Sequence, residues 1–289
     1  MGETHTPLTR TEVERLYKEQ GTLAGADLRG ADLSDIYLIT ADLSGADLSR
    51  ADLTRAHMYG ANLQGARLFK ANLEQANLNG ADLRNCDLLG AIFRETKMSH
   101  VILDKNFVVI NEREAQEAAH RGDKEESHRK YEEARDVYRS LKVVLHLQIP
   151  SKDVGILFVR EMSATRKLMP LFSLRRLFSK FLHVSLGYGE QIGRIIGSIF
   201  VLMIGSAILY GFEGVRVGDE ILRYGSGDGF FVTIAEMLYF SVVVFTTVGF
   251  GDMTPYGPLS KITMMVEGFT STVYMAMLII ALYKRSMAR

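Results

Sequence analysis

The residues with the most definite chemistry are Thr246-Thr247-Val248-Gly249-Phe250-Gly251-Asp252-Met253-Thr254-Pro255. Two threonines lead, two glycines alternate with Val and Phe, and an acidic residue and a proline close the run. Glycine accepts backbone angles that aim successive carbonyl oxygens to one side, where a side chain would obstruct them. Joined by the Thr247 hydroxyl, such a strand is a row of oxygen ligands suited to a cation that has shed its water. The elements that must position this row are apolar. Residues 192–212 precede it and residues 259–283 follow it, and each reaches or exceeds the roughly 20 residues a helix needs to cross a ~30 Å hydrocarbon core. Residues 229–246, directly upstream, are apolar too but must turn back before they span. Glycine-rich, non-helical backbone at membrane depth is tolerated only where protein buries it or water bathes it. Span, half-helix, extended strand and span together predict a re-entrant loop.

The run Thr247-Val248-Gly249-Phe250-Gly251-Asp252 resembles the filter signature of the potassium-channel family, Thr-Val-Gly-(Tyr/Phe)-Gly-Asp. The resemblance implies a homotetramer in which four strands surround an axis. Potassium is then the permeant ligand, held at Thr247, Val248, Gly249 and Phe250, with Gly251 completing the filter at 247–251. Neither an organic cofactor nor an enzymatic activity is implied. Tyr239 and Phe240 match the aromatic pair that forms a cuff around the filter, and Asp252 matches the acidic residue behind its outer mouth. Thr246 and Glu267 complete the expected support. Glu267 is an ionisable group inside a span, which is costly there. It is expected to bond hydroxyls of the pore helix such as Thr233 or Thr246, with pH sensing as the alternative. The family's hinge glycine falls at Ser271, with Gly268 one turn earlier as the other candidate. Phe250 lacks the hydroxyl of the commoner Tyr, and Val243 stands where some members place a buried Glu.

The remaining composition narrows the classes. The 289 residues carry 34 basic and 34 acidic side chains, so no charge excess argues for a nucleic-acid partner. The single cysteine, Cys86, excludes an internal disulfide framework and fits a reducing compartment. Residues 1–20 are polar and charged, unlike a signal peptide, and Met1-Gly2 with Thr6 matches only a loose myristoylation pattern.

From Gly21 to Lys105 the sequence repeats every five residues without insertion, in 17 units such as Ala41-Asp42-Leu43-Ser44-Gly45 and Ala71-Asn72-Leu73-Glu74-Gln75. Neither the strand period nor the helix period explains this, and a fixed short period means a solenoid. It resembles the pentapeptide-repeat family, Ala-(Asp/Asn)-Leu-X-X, which implies a right-handed quadrilateral β-helix with one unit per face. Ala and Leu are expected inside, Asp or Asn at turn corners, and the bulkier late units as an end cover. Cys86 occupies an Ala slot and reads as a buried packing thiol. The repeat region has 11 acidic against 9 basic residues, too even for a mimic of DNA.

Elsewhere the pattern predicts helices. Thr9 with Glu12 forms a capping box before a helix that Gly21 stops. Asn111 is expected to cap a helix through Arg121, followed by helices over 123–148 and 152–169 separated at Pro150 and paired as an antiparallel hairpin. Residues 171–182 alternate apolar side chains with Arg175, Arg176 and Lys180, the pattern of a helix lying in the membrane interface. With Arg194, Lys284, Arg285 and Arg289, these charges place both termini in the cytoplasm of a multi-pass cell-membrane protein by the positive-inside rule. The expected organisation is a capping helix (1–20), a cytoplasmic pentapeptide-repeat β-helix (21–110), a helical connector (111–169), and an interfacial helix with a two-span pore-loop domain (170–289). The function expected is selective potassium conduction, with the repeats regulating or assembling the pore and residues 21–169 offered to an unidentified cytoplasmic partner or ligand. Two other readings stand beside it: a membrane-anchored repeat scaffold, for which the filter would be superfluous, and a weakly selective cation channel, which a polar residue at 250 would have favoured.

Overall fold

A computed structural model describes residues 6–104, 107–146, 152–225 and 229–287. Pro150, expected as a helix breaker, lies outside them, as do Gly2, Lys105 and Arg289. The chain forms two compact units that divide between Lys180 and Phe181.

In the first unit, α1 (Arg10–Gln20) begins where the Thr9 N–H donates to Glu12 Oε2 at 2.8 Å and ends where the Gly21 N–H returns to the Tyr17 carbonyl. The repeats then wind as a coil with 20 residues per turn. Parallel bridges join the second residue of a unit to the one 20 further on, as in Asp27 with Asp47, Asp47 with Arg67 and Arg67 with Asp87. Four five-residue units therefore make one coil. Each unit sends its Ala-slot and Leu-slot side chains inward, so that Ala31, Leu33, Ala51, Leu53, Ala71 and Leu73 are buried in one continuous stack. Each Asp or Asn accepts the N–H two residues on, as Asp32 does from Ser34 at 3.1 Å and Asn72 from Glu74 at 3.2 Å. These are the expected Asx turns. The fifth residue of almost every unit lies at positive φ, Gly or not, which turns the chain into the next face.

Polar side chains in the Ala column find carbonyls inside the stack. Cys86 Sγ donates to the Leu63 carbonyl at 2.9 Å and Thr96 Oγ1 to that of Leu73 at 2.7 Å. Burial pushes the Cys86 thiol up to about 12, so it is a packing group and not a nucleophile at neutral pH.

The helices α2 (Ile110–His120), α3 (Lys124–His146) and α4 (Lys152–Leu168) complete the first unit. Ala134, Val137, Tyr138, Leu141 and Leu145 of α3 share one core with Phe93 and Met98 of the last repeats. Arg113 of α2 pairs with Asp104 at 3.0 Å and bonds Asn85. α3 and α4 run antiparallel. Lys142 meets Glu161 at 2.5 Å, while the Lys167 ammonium, further along α4, sits over the ring of Tyr131, earlier in α3. One expectation is corrected here. Val109, not Asn111, is the cap of α2, and Asn111 lies in the first turn with Nδ2 on Glu133. Tertiary contact overrides the local preference, because the Tyr138 hydroxyl takes the Val109 N–H at 3.2 Å and donates to Glu112. α5 (Leu174–Leu186) leaves Leu177, Phe178, Phe181 and Val184 uncovered in this chain.

In the second unit, a 3-10 turn over Gly187–Gly189 leads into α6 (Ile192–Glu213), followed by strands β1 (Val215–Val217) and β2 (Glu220–Leu222). Then come α7 (Phe230–Phe245), β3 (Met253–Pro255) and α8 (Pro258–Met287). The strands form one antiparallel sheet in the order β2-β1-β3. α6 and α8 are long and apolar enough to cross a membrane, and only 28% and 22% of their most apolar windows are buried. The interior helix of a soluble domain would be mostly covered.

Candidate functional site

The site begins where α7 runs out. The Thr246 N–H still reaches the Val242 carbonyl at 2.9 Å, and the Thr247 and Val248 N–H groups reach those of Val244 and Val243 at 3.0 and 3.2 Å. Beyond Val248 the ladder ends. Thr247, Gly249 and Gly251 lie at φ 56°, 59° and 79°, while Val248 and Phe250 between them are not at positive φ. Positive φ at alternate positions lets the backbone aim successive carbonyls to one side, which residues all at negative φ could not do without leaving the allowed regions. Among the described residues, no backbone N–H donates to the carbonyls of 247–251. The Thr247 hydroxyl donates to the Thr246 carbonyl at 2.7 Å. Val248 and Phe250 are 55% and 68% exposed, apolar surfaces that nothing in a single chain covers.

The expected support residues are distributed as follows. The Tyr239 hydroxyl donates to Asp252 Oδ2 at 2.8 Å, tying α7 to the residue just past the row. Phe240 separates from it: its ring is buried edge-on against Tyr210 of α6, with centroids 4.8 Å apart. Thr246 turns its hydroxyl back to its own helix at Val242. Val243 is buried and apolar.

Glu267 on α8 is fully buried and does bond a hydroxyl of the short helix, but a different one from those expected. Ser241 Oγ donates to Oε1 at 2.5 Å and the Tyr210 hydroxyl to Oε2 at 2.7 Å, with the Ser206 hydroxyl as a third partner. Thr233 and Thr246 instead bond the Gly229 and Val242 carbonyls of their own helix. Ser206 and Tyr210, absent from the sequence-derived site, stand four apart on an otherwise apolar span and therefore share a face. That spacing was the available signal. Glu267 thus fastens α8 to both α6 and α7.

Gly268 and Ser271 lie within an unbroken α8, where the hydroxyls of Ser271 and Thr272 both fold back on the Gly268 carbonyl, at 2.8 and 3.2 Å. A Cβ on Gly268 would meet nothing within 4 Å, so no neighbour in this chain requires glycine there. At the opposite end of the helix, Lys284 pairs with Glu190 at 2.5 Å. Among the described residues, no group of three or more His, Cys, Asp or Glu side chains is arranged to hold a metal ion.

Comparison with known proteins finds two matching regions. Segments 22–60, 31–68 and 66–104 match the family described as pentapeptide repeats (8 copies), and residues 199–285 match the family described as ion channel. No curated protein matches the chain. Among solved structures, a pentapeptide repeat protein (Rfr23) from the cyanobacterium Cyanothece 51142 is 46% identical over 28% of this chain and 54% of its own, with a TM-score of 0.27. A pentapeptide repeat protein from the Arabidopsis thaliana thylakoid lumen is 34% identical over 26% of this chain and 52% of its own, at a TM-score of 0.26. One from Nostoc Pcc 7120 is 27% identical over 35% of this chain and 100% of its own, at 0.21. The matched part of this chain spans about half the length of the first two.

Proposed function

Starting from a membrane chain that joins pentapeptide repeats to an ion-channel domain, we propose that it is a potassium-selective channel formed by four copies. The observation that carries this reading is the alternation of φ at Thr247, Gly249 and Gly251, in a loop held between two membrane-length helices. Four such loops around an axis would line a path with rings of carbonyl oxygen that replace the water an ion sheds. K+ would be held by the carbonyls of Thr247, Val248, Gly249 and Phe250 and by the Thr247 hydroxyl. Val248 and Phe250 would be covered by neighbouring copies, which accounts for apolar side chains left bare in one chain.

The basic residues near the inner ends of the spans support, by the positive-inside rule, a topology with both termini in the cytoplasm. There the repeats form a right-handed quadrilateral β-helix, and α5 lies along the membrane surface with its bare apolar side in lipid. The repeat core is a stack of Ala, Leu, Met and Phe with no continuous polar path, so this part regulates or assembles the pore and does not conduct. The two hydroxyls on the Gly268 carbonyl weaken the α8 ladder at that point, which favours the 268–271 segment as the bend of an inner gate.

The test is the reversal potential of purified full-length protein in bilayers under opposed potassium and sodium gradients. Selective potassium current is expected, and equal permeability of the two ions would refute the reading. Gly249→Ala should abolish current while leaving a tetramer by light scattering, because a Cβ at φ 59° strains the row and crowds the axis.

A further inference from the structure

The segment between α6 and α7 is built into the exit of the filter. α6 ends at Glu213, and Gly214 turns the chain at φ 100°. A Cβ on Gly214 would stand 2.8 Å from the Leu222 carbonyl oxygen and 2.9 Å from Ile221 Cγ2, so the β1–β2 hairpin is seated directly on the helix end. On its other edge β1 pairs with β3: Val217 faces Met253, Arg216 faces Thr254 and Val215 faces Pro255. Met253 follows Asp252 immediately, so the pairing begins one residue beyond the filter signature. Val215 and Met253 are buried in one cluster with Tyr210, Phe240 and Val244.

The same corner sets the start of α8. Glu213 Oε2 accepts the Ser260 N–H at 3.0 Å, Ser260 Oγ donates to the Gly214 carbonyl at 3.0 Å, and the Tyr256 N–H donates to that carbonyl at 3.3 Å. A Cβ on Gly257 would overlap the Glu213 carboxylate. A carboxylate at the C-terminal end of one span therefore caps the N-terminal end of the next. It satisfies an amide the helix leaves without a partner and meets the positive end of the helix dipole. Among the described residues, the backbone N–H groups of 249–252 make no backbone hydrogen bond. The fastenings this chain supplies to the exit are thus the Tyr239 bond to Asp252 on one side and this sheet and cap on the other.

We propose that Glu213 and Ser260 are positioning residues for the outer end of the filter. The Glu213–Ser260 cap and the β1–β3 pairing hold residues 252–255 in place, and their release lets the carbonyl row relax into a non-conducting form. This inference rests on the reading of 247–251 as the filter.

The experiment records single channels of the full-length protein as wild type, Glu213→Ala, Glu213→Gln, and the pair Arg216→Cys with Thr254→Cys. Absence of current in the wild type would fail the filter reading itself; a conducting wild type isolates the present one. Glu213→Ala is expected to shorten conducting bursts by at least about fivefold, the scale set by loss of one helix cap, since each of the four copies loses one. Raising potassium on the hairpin side should lengthen them again, because an occupied filter resists collapse. Glu213→Gln keeps an oxygen for the Ser260 N–H and should remain within about twofold of wild type. Facing residues of an antiparallel pair have Cα atoms about 4.5–5.5 Å apart, within disulfide reach. The only native thiol is the buried Cys86. Oxidising the new pair should lengthen bursts, and reducing it should restore them. Unchanged bursts in Glu213→Ala, or shortening that external potassium does not relieve, would overturn the proposal. If Glu213→Ala fails to assemble, the cysteine pair decides, and burst lengths indifferent to oxidation would overturn it equally.

Discussion

At the scale of the residue, the site depends on a few groups whose partners are now named. Phe250 has no hydroxyl to offer a neighbour, so Phe250→Tyr should add a hydrogen bond of about 0.5–1.5 kcal/mol per copy if a partner lies in reach. Slower entry into non-conducting states is the expected result, read from dwell times. Unchanged dwell times would mean that the Tyr239–Asp252 bond already holds the filter. Glu267 invites a sharper comparison. Glu267→Leu strands the buried hydroxyl of Tyr210, at roughly 1–3 kcal/mol, leaves Ser241 with the Met203 carbonyl as its acceptor, and should lower the melting temperature of the detergent-solubilised protein by a few degrees. Glu267→Gln retains an acceptor for Tyr210 and a group able to bond Ser241, and should melt close to wild type. Equal melting of both variants would remove Glu267 from the list of fastenings.

At the scale of the element, what could be read in advance depends on how locally each element is determined. The coil was legible because every unit carries its own inward Ala and Leu and its own Asx turn, so 17 repetitions state one rule. α1 was legible because its signals are local: Thr9 and Gly21 flank it and Glu12 lies in its first turn. The start of α2 was not. Tyr138, 29 residues away, takes the Val109 amide and moves the cap to a residue with no capping side chain. The partner of Glu267 was hidden for a related reason: which hydroxyl of α7 faces α8 depends on how the helices are rotated against one another. Strands of three residues, such as β1 and β3, carry too little pattern to announce a pairing across 38 positions. The role of α3 as the cover of the last coil follows from shared burial, and it can be measured. Leu141→Ala removes a fully buried side chain from that junction and should cost about 2–5 kcal/mol. Hydrogen exchange of full-length protein should show the protection of residues 91–103 falling while that of α6 and α8 stays unchanged.

At the scale of the whole molecule, two units with separate cores share one chain. A chain starting near Pro170 keeps the carbonyl row, Tyr239–Asp252 and the Glu267 fastening, all of which lie in the second unit. On the proposed reading it should keep the potassium preference expected of the full-length protein, while its open probability, measured beside full-length protein at matched density, should change. Lost selectivity would refute the division of labour, and an identical open probability would reduce the repeats to a spacer. The 20-residue winding has a consequence of its own. Because every bridge connects residues twenty apart, the coil acts as an angular gear for whatever follows it. Removing four units shortens it by one pitch and leaves the phase intact. Removing a single unit advances everything downstream by a quarter of a revolution with the same side chains in the core. The length of the repeat array can therefore be changed in steps of twenty residues without altering the azimuth at which α2 leaves it, whereas a step of five changes that azimuth.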